Sequence, residues 1–243
     1  MRALGFGFVL LSVLATAPAA AQTGSPARGS QEIFDVRNTE RDYFENTFRN
    51  NPRLAAESYS GALRFASCAV KFDQAGVASV LASDSGSDVE GRAIRDLTRR
   101  LRGCAVSRDS IPPLVLRGAL AEALWKQGGA KVNPAKRDSV EISDVESFIK
   151  ATPRGDMTVK TAGMPISWVS RCQVMALPNK AADVLAAEPG SAKEKAEAEA
   201  LYANSRVCGV QKGLEKTPVI AVRAAIADAL YLDGRRSAPT SAQ

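Results

Sequence analysis

The sequence predicts an all-α protein, a tandem duplication of a four- to five-helix unit in which each unit is stapled by one disulfide. Three observations carry this. Cys68 and Cys104 are separated by the same interval as Cys172 and Cys208. Residues between the cysteines match at a constant offset of 104 (172 − 68): Val70 with Val174, Val80-Leu81 with Val184-Leu185, Gly86-Ser87 with Gly190-Ser191, Glu90 with Glu194. Apolar residues recur at helical steps of three and four, and no stretch alternates long enough to demand a sheet. Short strands are conceivable only over 131–142 and 156–161.

Residues 1–21 read as a secretory signal, with Arg2, an apolar run over 4–14, Pro18 and Ala19-Ala20-Ala21 placing the cut before Gln22. That run is shorter than the roughly 20 residues that span a bilayer. No later segment is apolar enough to cross, so no integral membrane segment is expected after signal cleavage. Residues 22–38 read as a disordered leader rich in small and polar residues. Repeat unit 1 covers 39–142, unit 2 covers 143–236, and 237–243 is a loose tail.

In unit 1 a first helix starts near Thr39, with Tyr43, Phe44 and Phe48 on its apolar face. The second opens at Asn51-Pro52, a cap followed by the residue best tolerated in a first turn. Leu54, Ala55, Tyr59, Ala62, Leu63 and Ala66 mark its inner face to about Val70. A short helix over 75–81 is broken by Ser83-Asp84-Ser85-Gly86. The capping box Ser87-Asp88-Val89-Glu90 opens the next, which runs to about Gly103 with Ile94, Leu97 and Leu101 inward. Pro112-Pro113 opens the last helix, residues 114–125, apolar on nearly every side and therefore buried. A polar linker follows over 129–141.

Unit 2 restarts at the capping box Ser143 to Glu146, with Phe148 answering Phe44. Gly155, Gly163 and Pro165 shorten its second helix, which resumes at Ile166 and passes Trp168 and Cys172. Ser191 to Glu194 repeats the capping box. Thr217-Pro218 opens the last helix, residues 219–232, ending at Gly234. Here the offset becomes 106, so Arg117 matches Arg223, Glu122 matches Asp228 and Trp125 matches Tyr231.

Four cysteines in an exported chain read as two bridges. Three connectivities exist on paper, and the repeat selects Cys68–Cys104 with Cys172–Cys208. A four-thiolate zinc site needs close pairs such as C-x-x-C, and none is present. The chain has no histidine, which excludes Ser-His-Asp and Cys-His catalysis, histidine metal sites and histidine pH switches. No metal or cofactor motif is present. The net charge of +6 is mild, and no aromatics are interleaved with the arginines to stack bases, so no nucleic-acid partner is expected.

Two constellations stand out. Arg92, Arg95, Arg99 and Arg102 fall near one helix face, a candidate binding face for an anion or a partner, against the bland reading of a solvated face. Unit 2 has Ala196, Glu199, Ala203 and Arg206 at these positions. Gly118-Ala119 and Ala224-Ala225 put small residues at the middle of the two last helices. If those helices cross, Arg117 approaches Asp228 and Arg223 approaches Glu122 as reciprocal ion pairs between the units. The aromatics Tyr59, Trp125, Trp168 and Tyr231 read as packing.

Glu57-Ser58 resembles the Glu-Ser pair of lytic transglycosylases. The glycine-leucine-methionine-glutamine stretch of that family is absent downstream, where the chain reads Ser60-Gly61-Ala62-Leu63-Arg64. The role expected is a non-catalytic one: a periplasmic or secreted protein binding a protein or an anionic envelope component. The alternatives are an acid-dependent enzyme cleaving cell-wall glycans and a structural envelope protein. An enzyme requires a cleft with a buried, unpaired carboxylate among Glu57, Glu122 and Asp228. A binding module has those acids paired or exposed.

Overall fold

The computed structural model describes residues 43–104, 111–128, 160–161, 164–210, 214 and 217–237. The leader over 1–38, the cap at Thr39, the linker over 129–141, the repeat start over 143–148 and residues 238–243 lie outside the described residues. Among those described, the chain is helical except for one two-residue strand pair.

Unit 1 opens with a π-helical turn, Tyr43–Phe48, whose Phe48 is buried. Helix α1 is Pro52–Phe72. Asn51 caps it by accepting from the Leu54 amide at 3.0 Å. The three-four spacing of Ala55, Tyr59, Ala62, Phe65, Ala66, Ala69 and Val70 gives one buried face. Asp73 both closes α1 and opens α2, Gln74–Ala82: its amide donates to the Ala69 carbonyl, and its carboxylate accepts from the Gly76 amide. Helix α3 is Asp88–Arg100. The sequence placed its end near Gly103. Instead the last residues tighten into a 3-10 turn, Arg102–Cys104, with the Cys104 amide donating to the Leu101 carbonyl. That turn swings Cys104 back onto Cys68. Helix α4 is Pro113–Gln127, and Leu114 to Ala121 are all buried.

Unit 2 repeats this plan over its described residues. Strands β1, Lys160–Thr161, and β2, Met164–Pro165, pair antiparallel. Helix α5, Ile166–Ala176, has 11 residues where α1 has 21. Pro165 stands just before the first residue of α5 and is the physical reason, since proline lacks the N–H a helix interior needs. Helices α6, Pro178–Ala186, and α7, Ala192–Asn204, follow, then a 3-10 turn, Arg206–Cys208. Helix α8 is Val219–Ser237 and continues through Gly234. The expected stop fails because an interior glycine costs about 1 kcal/mol against alanine but keeps its N–H in the ladder.

Helix α4 packs on α1, α8 packs on α5, and α4 and α8 pack on each other between them. One continuous apolar cluster draws residues from both units. A Cβ placed on Gly118 would run into the Cα, Cβ and carbonyl oxygen of Ala224. These residues are counterparts at the offset of 106, so the helices cross where equivalent positions meet. That is the signature of a pseudo-twofold axis, and it places Arg117 and Arg223 one residue from the crossing.

The disulfides are Cys68–Cys104 and Cys172–Cys208, each with Cα atoms 5.7 Å apart. Each closes 36 residues of sequence, which stabilises by about 3–4 kcal/mol through the unfolded chain. Cys172 and Cys208 are fully buried, whereas Cys68 and Cys104 are half-buried. Brief exposure of the native protein to a thiol reductant should therefore open Cys68–Cys104 first, because access limits exchange. Alkylation and peptide mass mapping read the order; equal labelling of all four thiols would contradict it.

Candidate functional site

The helix crossing holds an ion network, and α3 presents a basic surface.

The network begins at the capping boxes. Ser87 accepts from the Glu90 amide through its hydroxyl, and Ser191 does the same for Glu194. Each glutamate reaches back with one oxygen to a glycine amide, Gly86 or Gly190, at 2.6 Å. Both glycines have positive φ, 75° and 78°, a conformation costly for any residue with a Cβ. Each glutamate keeps its other oxygen for an arginine. Arg117 donates to Glu90 Oε1 at 3.0 Å, and Arg223 donates to Glu194 Oε1 at 3.0 Å.

The same arginines cap helix C-termini. Arg117 donates to the carbonyls of Val80, Leu81 and Ser83 at the end of α2. Arg223 donates to those of Val184, Leu185 and Ala187 at the end of α6. A cation there satisfies orphan carbonyls and meets the negative end of the helix dipole.

Each arginine then crosses to the other unit. Arg117 Nε donates to Asp228 Oδ1 at 2.9 Å. Arg223 forms a bidentate pair with Glu122, Nε to Oε2 at 3.0 Å and Nη2 to Oε1 at 2.7 Å. Arg117, Glu122, Arg223 and Asp228 are thus one arrangement, and Glu90 and Glu194 complete it. Sequence reasoning singled out the first four and missed the two glutamates as partners. Their signal was available: a glutamate conserved between the two units at the constant offset.

The two halves of the network are not equal. Glu122 also accepts from the Tyr59 hydroxyl at 2.8 Å and from Lys126 at 2.7 Å. The Tyr59 counterpart is Gly163 and the Lys126 counterpart is Leu232. Among the described residues, Arg117 is the cation at Asp228.

Burial pushes Glu90 and Glu194 above the usual carboxylate range, against the pull of Arg117 and of the Gly190 amide with Arg223. Burial also acts on Glu122, but the hydrogen bonds and charges of Arg223 and Lys126 outweigh it and hold that carboxyl low. Burial and the Glu122 charge raise the Tyr59 phenol well above its ordinary value. A depressed Glu122 means the unfolded state binds the proton more readily, so its stabilisation is present above its ordinary value of 4.5 and is lost as pH falls. Thermal melts should therefore show the gap between the native protein and Glu122→Gln widening as pH rises from about 3 to about 6. A constant gap over that window would contradict the assignment.

The α3 surface is the second site. Arg92, Arg95, Arg99 and Arg102 are all exposed, opposite the inward Leu97. Arg99 makes a loose pair with Asp96 at 3.6 Å. Arg100, which flanks the stripe, binds Asp73, Nη2 to Oδ2 at 2.7 Å. Arg100 and the Gly76 amide hold the Asp73 carboxyl below its usual value.

Glu57 is exposed and held by Arg53 at 2.8 Å. It lines an open groove of about 440 Å³ with Pro52, Arg53, Ala56, Ser60, Arg64 and the Pro189-Gly190 turn of unit 2. No second carboxylate lines it. Among the described residues no cluster of His, Cys, Asp and Glu fits a metal ion. Among them, too, no helix is long and apolar enough to cross a membrane.

Comparison with models of known protein families, with curated proteins and with solved structures gives no match.

Proposed function

We propose that this chain is an exported, non-catalytic binding protein of the periplasm or the extracellular space, and that the basic face of α3 engages an anionic partner. One observation carries the reading. Both buried carboxylates at the crossing are tied down by arginines, while the arginines of α3 stand in solvent. A general acid for glycan cleavage needs a carboxyl left free to protonate a leaving group beside a second carboxylate. Glu122 and Asp228 are buried out of reach, and Glu57 is exposed and paired. The glycan-cleaving alternative therefore has no candidate acid among the three.

Two further points support the reading. The disulfides suit an oxidising compartment. The units share a scaffold yet differ in charge where α3 and α7 correspond, as expected if one face alone is used. The test has two parts. Expression in an exporting host with N-terminal sequencing should return Gln22 as the first residue; retention of residues 1–21 would refute export. Binding of the processed chain to polyglutamate, a plain acidic polymer, should fall at least tenfold on Arg92→Glu/Arg95→Glu/Arg99→Glu/Arg102→Glu. Equal binding would remove the α3 face from consideration.

A further inference from the structure

The most exposed large apolar side chain among the described residues is Phe72, at 68%. It ends α1, and its position is held from two sides. The Cys68–Cys104 bridge joins the last turn of α1 to the turn after α3. The Asp73–Arg100 pair ties the residue after Phe72 to the last residue of α3. Lys71 stands over the Phe72 ring, 5.4 Å from its centroid. The end of α1 that carries this exposed ring is therefore held to the arginine-rich end of α3, which bears Arg99, Arg100 and Arg102. Together with Arg92 and Arg95 this surface carries six cations, against the exposed or half-buried Asp73, Asp88 and Asp96.

Of this corner, unit 2 keeps only Arg206, the counterpart of Arg102. Met175, Ala176, Leu177, Ala203 and Asn204 stand where unit 1 has Lys71, Phe72, Asp73, Arg99 and Arg100. The scaffold needs neither the exposed ring nor the cations at 71, 92, 95, 99 and 100, since the second unit folds on the same plan without them.

We propose that this corner docks on an anionic phospholipid surface, the cations meeting headgroup phosphates and the Phe72 ring entering the headgroup–acyl boundary. The inference rests on the basic-face reading above and names its partner. Charge complementarity selects an anionic surface. The apolar content selects a bilayer over an acidic protein. One ring flanked by lysine and arginine is far short of the roughly 1,000 Å² a specific protein interface buries. It is what an interfacial anchor needs when charge supplies the rest.

The experiment is co-sedimentation of the processed chain with vesicles of phosphatidylcholine, with and without about 30% phosphatidylglycerol. Polyglutamate binding is run in parallel. The expected result is selective capture by the anionic vesicles, lost at about 1 M salt. Phe72→Ser should weaken capture about tenfold while leaving polyglutamate binding unchanged. Arg99→Gln/Arg102→Gln should weaken it about 25-fold, near fivefold per charge. All three sites are exposed, so unchanged melting temperatures confirm that the variants fold. Capture indifferent to Phe72→Ser would overturn ring insertion and leave the basic face standing. Polyglutamate binding without vesicle capture would overturn the lipid partner alone. Failure of both would overturn this inference and the reading beneath it.

Discussion

Arg117→Met is expected to cost the fold about 3–5 kcal/mol, and more than Arg223→Met. Both changes strip a cation from a buried site and leave carboxylates behind. The difference lies in what remains. After Arg223→Met, Glu122 still holds Lys126 and the Tyr59 hydroxyl, and Glu194 still accepts from the Gly190 amide. Each variant also uncaps one helix end and leaves one glutamate on a glycine amide alone, so the difference lies in Asp228, which loses its cation after Arg117→Met. Denaturant titration at neutral pH ranks the two. A milder effect for Arg117→Met would show that the cross-unit pair with Asp228 carries little. Arg117→Met/Asp228→Leu should recover part of the loss, because the desolvation penalty disappears with the second charge. The cycle over Arg117 and Asp228 should return a coupling of about 0.5–3 kcal/mol. Additive losses would mean that the two residues act independently.

Gly118→Leu should destabilise by about 3 kcal/mol or more, with loss of the native dichroism of the buried aromatics. The new side chain meets the backbone of Ala224, which has no rotamer to yield with. Forcing α4 off α8 also draws both arginines away from their acids across the crossing. Gly118→Ala separates the contributions. It gains about 1 kcal/mol of helix propensity and loses more to the same contact, so a net loss is expected. Gly91→Ala in α3 is the control. Its Cβ would meet only the far end of Arg95 at 3.4 Å, so it should gain about 0.5–1 kcal/mol. If both alanine variants stabilise, close approach at the crossing is not what holds the units together.

The elements that were legible share a cause. Asn51-Pro52, Ser87 to Glu90 and Ser191 to Glu194 carry their instructions within four residues, because a cap works through its own side chain and the next turn. The shortening of the second helix in unit 2 was legible at Pro165 for the same local reason. The elements misjudged needed distant information. The end of α3 depends on the pull of Cys104 toward Cys68. The continuation of α8 past Gly234 adds residues to an already paid nucleus, a step glycine weakens without blocking. Within the network, Arg117 and Arg223 were visible as matched charges on apolar helices. Glu90 and Glu194 were visible only as caps, since their free oxygens find the arginines through tertiary packing. Phe72 gave no signal, because a phenylalanine at a helix end looks like core until its exposure is known.

By itself the sequence determined the helical class, the doubling of the unit and the pairing of its cysteines. All three follow from spacing along the chain, and spacing survives without coordinates. The sequence offered Gly118 and Ala224 as a crossing only conditionally; the tertiary structure decided that the two units do meet there, and that one corner of unit 1 holds an exposed ring near cations. Which residues become neighbours across a helix crossing depends on the summed packing of both faces, and no interval in the chain records that.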